Sequence, residues 1–121
     1  MTRHDLKLLC QLHRDITSLR SAQIRIGNLL QSAGTDIERE SLRQTLKKIE
    51  SQLAAAIESS MSIESTIVAE LLLLPPPSRA VMIDRFINGK SIDQTARDNC
   101  LSQRSVYRVI RNSITYINSI T

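Results

Sequence analysis

Arg104, Arg108 and Arg111 stand at i, i+4 and i+7, a spacing that puts three guanidinium groups on one side of a helix. Gln103, Ser105 and Tyr107 lie among them, Ser102 precedes them, and Lys90 sits in the turn Gly89-Lys90-Ser91 upstream. Arginine bridges O6 and N7 of guanine or clamps a phosphate, glutamine reads adenine, and Ser and Tyr hydroxyls reach phosphate oxygens. No acidic residue follows Asp98, so nothing downstream in the chain offsets these charges. The chemistry such a set suits is contact with double-stranded DNA. The plainer reading is a solvated basic face on an ordinary helix. What separates the two is whether the elements that must carry these residues follow a pattern of their own.

They do. Asn88-Gly89 reads as a helix stop, Ser91 as the cap of a helix to about residue 99, and Ser102 as the cap of a last helix running to Ile117 or beyond. Ala96 is small where two helices must approach closely. Leu101, five residues on, is expected to point inward from the turn, and Val106 and Val109 take the positions that pack back on the preceding helix. That is the spacing of a helix-turn-helix. Thr95 and Asn99 stand where apolar residues are commoner, and Cys100 takes a turn position often given to glycine. A helix from about Pro77 to Ile87 completes a three-helix module.

The three prolines of the chain are consecutive, Pro75 to Pro77, and must end the helix before them. Upstream, Leu9, Leu12, Ile16, Leu19, Gln23, Ile26 and Leu30 alternate by three and four as a heptad seam. Gly34 closes that helix, and Thr35 with Glu38 fits a capping box for the next. Leu42, Leu46, Ile49 and Leu53 open a second seam that continues to Leu71, on a helix from about Asp36 to about Leu73. Leu8 and Leu29 widen the first stripe, so the hairpin is expected to associate with a copy of itself as a dimer or tetramer, with polar Gln23 in the seam bearing on register. The predicted fold is therefore all-α. Residues 1–74 form a long αα-hairpin for oligomerisation, and residues 75–121 form a helix-turn-helix DNA-binding domain.

Charge divides at the same point. Residues 1–74 carry nine basic and nine acidic side chains, while residues 75–121 carry seven basic and three acidic ones, which accounts for the whole net charge of +4. A neutral assembly region and a basic module suit assembly and nucleic-acid binding respectively.

The series Leu74-Pro75, Arg79, Val81, Arg85-Phe86-Ile87-Asn88-Gly89-Lys90-Ser91, Ala96 and Leu101-Ser102-Gln103-Arg104-Ser105-Val106-Tyr107 resembles region 4 of sigma-70-type factors. Joined to a long helical N-terminal part, it is similar to small phage-encoded transcription regulators of the autolysin-regulator and RinA-like kind. The resemblance spans about residues 74–115, and much of it is shared with two-component response regulators. It implies a sequence-specific transcription regulator, phage or mobile-element encoded, whose last helix enters the major groove of promoter DNA. A contact with RNA polymerase is compatible with it. The segments with which a complete sigma factor melts promoters have no counterpart.

Other chemistries are poorly supplied. One Phe, two Tyr and no Trp offer little for an aromatic cofactor pocket or an RNA-stacking sheet. Cys10 and Cys100 support neither a disulfide framework nor a zinc finger, and Cys10 with His13 and His4 shares its helix with a seam already apolar. No metal, cofactor or catalysis is expected, since no phosphate loop, activated nucleophile or paired acid occurs. No apolar run is long enough to span a bilayer and no signal-peptide core is present, so a cytoplasmic location is expected. Two other classes compete with the regulator: a DNA-packaging adaptor like a terminase small subunit, and a structural helical assembly protein.

Overall fold

The computed structural model describes residues Met1–Thr121 and contains no strand. Five α-helices follow in order: α1 (Arg3–Ser32), α2 (Asp36–Leu71), α3 (Pro76–Met82), α4 (Ile92–Asp98) and α5 (Gln103–Ile120). A π-turn over Ile83–Ile87 extends α3. The long N-terminal hairpin followed by short helices is the expected all-α architecture.

Local chemistry sets the ends of the long helices. Thr2 and Asp5 form a reciprocal cap at the start of α1: the Asp5 amide donates to Thr2 Oγ1 at 3.1 Å and the Thr2 amide to Asp5 Oδ2 at 2.9 Å. At α2 the Glu38 amide donates to Thr35 Oγ1 at 3.1 Å, as the capping box requires. Its return bond reaches one residue further back, to the Gly34 amide at 3.1 Å. Proline stops α2 and starts α3: Pro75 is the N-cap and Pro76 the first helical residue, where a missing N–H leaves nothing unpaired.

The chain forms two compact units. One is Gln11–Ser60, the hairpin proper. Its seam residues Leu12, Ile16, Leu19, Ile26, Leu30, Leu42, Leu46 and Ile49 are only half-buried, and so is Gln23. Leu53 is its one buried apolar side chain. Two helices cannot cover both seams, because each presents an apolar stripe wider than one neighbour hides.

The other unit joins Met1–Cys10 to Met61–Thr121. Its larger core gathers Leu6 and Leu9 from α1, Ile67 and Leu71 from α2, Leu74, Met82, Phe86, and Ile114 and Ile117 from α5. The compact boundary thus differs from the break expected at the prolines. Leu9, expected in the oligomerisation seam, is instead fully buried within this core. The reason is that heptad leucines look alike whichever partner covers them, and the ends of α1 and α2 here join a core shared with Met82, Phe86 and α5.

A second cluster holds the helix-turn-helix. Val81, Ala96 and Val106 are buried together, with Ile92, Val109 and Ile110 packed against them. Ile110 also touches the larger core, so α5 is packed along one face from Val106 to Ile117. Ser91 and Ser102 cap α4 and α5 as expected, accepting from the Gln94 amide at 3.0 Å and the Ser105 amide at 3.1 Å.

The turn between α4 and α5 is a Schellman motif. The Leu101 amide donates to Ala96 O at 2.8 Å and the Cys100 amide to Arg97 O at 3.2 Å. Cys100 stands at φ +56°, in the left-handed region where glycine is favoured. Leu101, expected to point inward from the turn, is not buried: it remains 38% exposed. The short side chain of Ala96 is buried with Val81 and Val106, a cluster that Leu101 does not join. Relieving the left-handed strain by Cys100→Gly should outweigh the added backbone entropy and stabilise the unit by about 0.5–1 kcal/mol. A urea-unfolding midpoint that falls in this variant contradicts that account.

The helix read from Pro77 to Ile87 begins at Pro76 and changes to π-winding after Met82. The Asn88 amide accordingly reaches back five residues to Ile83 O at 2.9 Å. Gly89, at φ +71°, then turns the chain. Asn88 itself keeps a right-handed conformation, so the stop rests on the glycine alone.

Candidate nucleic-acid interface

The packed face of α5 carries Val106, Ile110, Ser113, Ile114 and Ile117, at spacings of four, three, one and three. By helical geometry Arg104, Arg108 and Arg111 project from the opposite side, and all three are exposed. Tyr107 lies at the edge of that face, 59% exposed. None of the three arginines makes an ion pair or a hydrogen bond through its side chain. Three free guanidiniums and a phenol thus share one end of a rigid helix.

The charges just upstream are held differently. Asp84 Oδ1 accepts from Asn88 Nδ2 at 3.0 Å and from Lys90 Nζ at 3.1 Å. Its Oδ2 accepts from Asn99 Nδ2 at 2.9 Å. Lys90 Nζ also meets Asp98 Oδ2 at 2.8 Å. Arg85 donates to Lys90 O at 3.2 Å and lies over the Phe86 ring, 5.4 Å from its centre. Lys90, expected among the DNA-contacting residues, is therefore committed to two carboxylates that neutralise it. It locks the turn between the π-segment and α4.

This network explains one of the two departures from the usual apolar pattern, Asn99. Asn99 ties α4 to the π-segment, donating to Asp84 and also to Thr95 O at 2.8 Å. Thr95 is buried like an apolar residue, with its hydroxyl left without a partner. The lost hydrogen bond is a standing cost to the module.

Burial pushes the Asp84 carboxyl up, but hydrogen bonds from Asn99, Asn88 and Lys90, with the Lys90 charge, outweigh it and hold the group below the usual carboxylate range. Hydrogen bonds to Asp98 and Asp84 in turn raise the Lys90 ammonium. For a carboxyl lowered on folding, the stabilisation is complete above its unfolded-state value near 3.8 and disappears as pH falls through the folded-state value. Thermal unfolding between pH 6 and pH 2 should therefore show an acid loss that Asp84→Asn reduces. Parallel acid limbs for the two proteins contradict the role given to Asp84.

Ser102 and Ser105 are occupied in capping, their hydroxyl oxygens 3.0 Å apart. Gln103, the first residue of α5, donates from Nε2 to Asp93 Oδ1 at 3.2 Å. Of the side chains expected to reach DNA, Arg104, Tyr107, Arg108 and Arg111 are thus free, Gln103 is tethered, and Lys90 is paired. The tether and the pairing depend on residues of other elements that no spacing rule joins.

No three His, Cys, Asp or Glu side chains converge as metal ligands, and no helix is long and apolar enough to cross a membrane. Comparison with protein-family models, curated proteins and solved structures finds no match to this chain.

Proposed function

We propose that this chain is a sequence-specific transcription regulator that binds double-stranded DNA through α5 and associates with itself through the α1–α2 hairpin. One observation carries the reading. Every charged side chain from Asp84 to Asp98 has an intramolecular partner, whereas Arg104, Arg108 and Arg111 have none and lie opposite the packed face of the helix. Free guanidiniums on a braced helix suit an anionic duplex whose groove accepts a helix and whose base edges take bidentate arginine.

The half-buried seams of Gln11–Ser60 support the second role. Another hairpin supplies the apolar surface they lack, and α1, with five basic and two acidic residues, complements α2, with four basic and seven acidic ones. Two copies would bring two recognition helices to an operator with two half-sites.

Titration of a labelled duplex at increasing salt tests the DNA role. Each phosphate neutralised lowers the slope of log K against log salt by about 0.9, so the slope is roughly −1.8 with two of the arginines on phosphates and roughly −2.7 with all three. Weak, salt-insensitive association rejects the proposal. Mass measurement of the free protein tests the other role: a dimer or tetramer is expected, a monomer excludes it, and a ring of many subunits points to a packaging adaptor.

A further inference from the structure

We infer that Asp93 is a positioning residue that sets which way round the Gln103 carboxamide meets a base; the inference rests on the DNA-binding reading above. The Gln103–Asp93 bond, 3.2 Å from Nε2 to Oδ1, is the only hydrogen bond between side chains of α4 and α5. The other carboxylate oxygen of Asp93 is taken separately, by Arg97 Nη2 at 2.6 Å. Each oxygen thus has its own donor, and Arg97 holds the carboxylate while Gln103 leans on it.

An ionised carboxylate only accepts hydrogen bonds. A glutamine beside it must turn its NH₂ toward the carboxylate and its carbonyl oxygen away. Gln103 opens α5 and is exposed, so it lies at the end of the helix from which recognition helices reach base edges. One N–H is spent on Asp93. The outward oxygen and the second N–H remain, and these are the acceptor and donor that the N6 amino group and N7 of adenine require. Without Asp93 the amide turns over freely and meets donor or acceptor edges alike. Arg104 and Arg108, which have no such tether, gain no comparable constraint from α4.

The test is selection of bound duplexes from a random pool by the full chain and by Asp93→Ala, Gln103→Ala and the double variant, each checked for an unchanged helical signal. The full chain should enrich adenine at one position of the site. Both single variants should flatten that same position, each by about 10-fold in base preference, and the double variant should flatten it no further. Other positions keep their preferences. Affinity lowered evenly for all sequences, with the profile unchanged, shows that Asp93 merely braces the fold and overturns the inference. So does flattening by Asp93→Ala at a position other than the one that Gln103→Ala affects. A full chain that enriches nothing removes the DNA-binding reading itself, an outcome distinct from either.

Discussion

Truncating Leu9 to alanine lowers the stability of the unit formed by Met1–Cys10 and Met61–Thr121 by about 2–5 kcal/mol. Leu9 is fully buried in the cluster that includes Leu6, Ile67, Leu71, Met82, Phe86, Ile114 and Ile117. The cost combines lost transfer free energy with a cavity among side chains that come from distant parts of the chain and relax only in part. Leu19, one of the half-buried seam residues of the hairpin, provides the contrast. Its truncation should cost less in the isolated chain at low concentration, where no second copy covers it. Amide exchange reports the difference: Leu9→Ala accelerates exchange at Ser113–Ile117, and Leu19→Ala does not. Equal protection of α5 in the two variants means that the first ten residues belong with the hairpin after all.

Replacing Arg108 by alanine weakens binding to the preferred duplex by about 1–3 kcal/mol if the side chain contacts a base, and relaxes preference at one position. Replacing Arg111 or Arg104 in a phosphate-contacting role instead lowers affinity for all sequences and reduces the salt slope by about 1. The three residues share one exposed face and lack partners, so none of the substitutions leaves a buried charge behind. Stability should therefore stay close to that of the parent, and equilibrium titration reads the loss as binding alone. Full affinity in the Arg108→Ala protein contradicts the assignment of α5 as the recognition helix.

Much of this fold is legible in the sequence. Ser91, Ser102 and Thr35 announce helix starts because a hydroxyl before an amphipathic run has one obvious use, and all three caps form. Ala96 and Val106 declare the helix-turn-helix because close packing of short helices tolerates few alternatives, and both are buried with Val81. The exposed arginines of α5 follow from the same periodicity.

What was not legible depends on neighbours distant in sequence or on small changes of winding. Leu9 has the letter and the spacing of a seam residue, and only the cluster it joins with Met82, Phe86, Ile114 and Ile117 makes it core. The π-turn at Ile83–Ile87 keeps an ordinary helical composition, so nothing marks the extra residue in its loop. Lys90 looks like a free cation in a turn until that turn brings Asp84 and Asp98 to its ammonium. Leu101 fits the apolar pattern of an inward residue, yet it stays outside the cluster of Val81, Ala96 and Val106. The tether of Gln103 to Asp93 spans ten residues and the angle between two helices. In each case pattern identified the residue type and tertiary geometry decided its use.

The central claim, that α5 reads specific DNA, is tested most directly by selecting bound sequences from a random duplex pool with the full-length chain at near-physiological salt. The account predicts an enriched site, with one half-site or two related by symmetry, that the Arg108→Ala protein no longer enriches equally. A pool that emerges unenriched contradicts it.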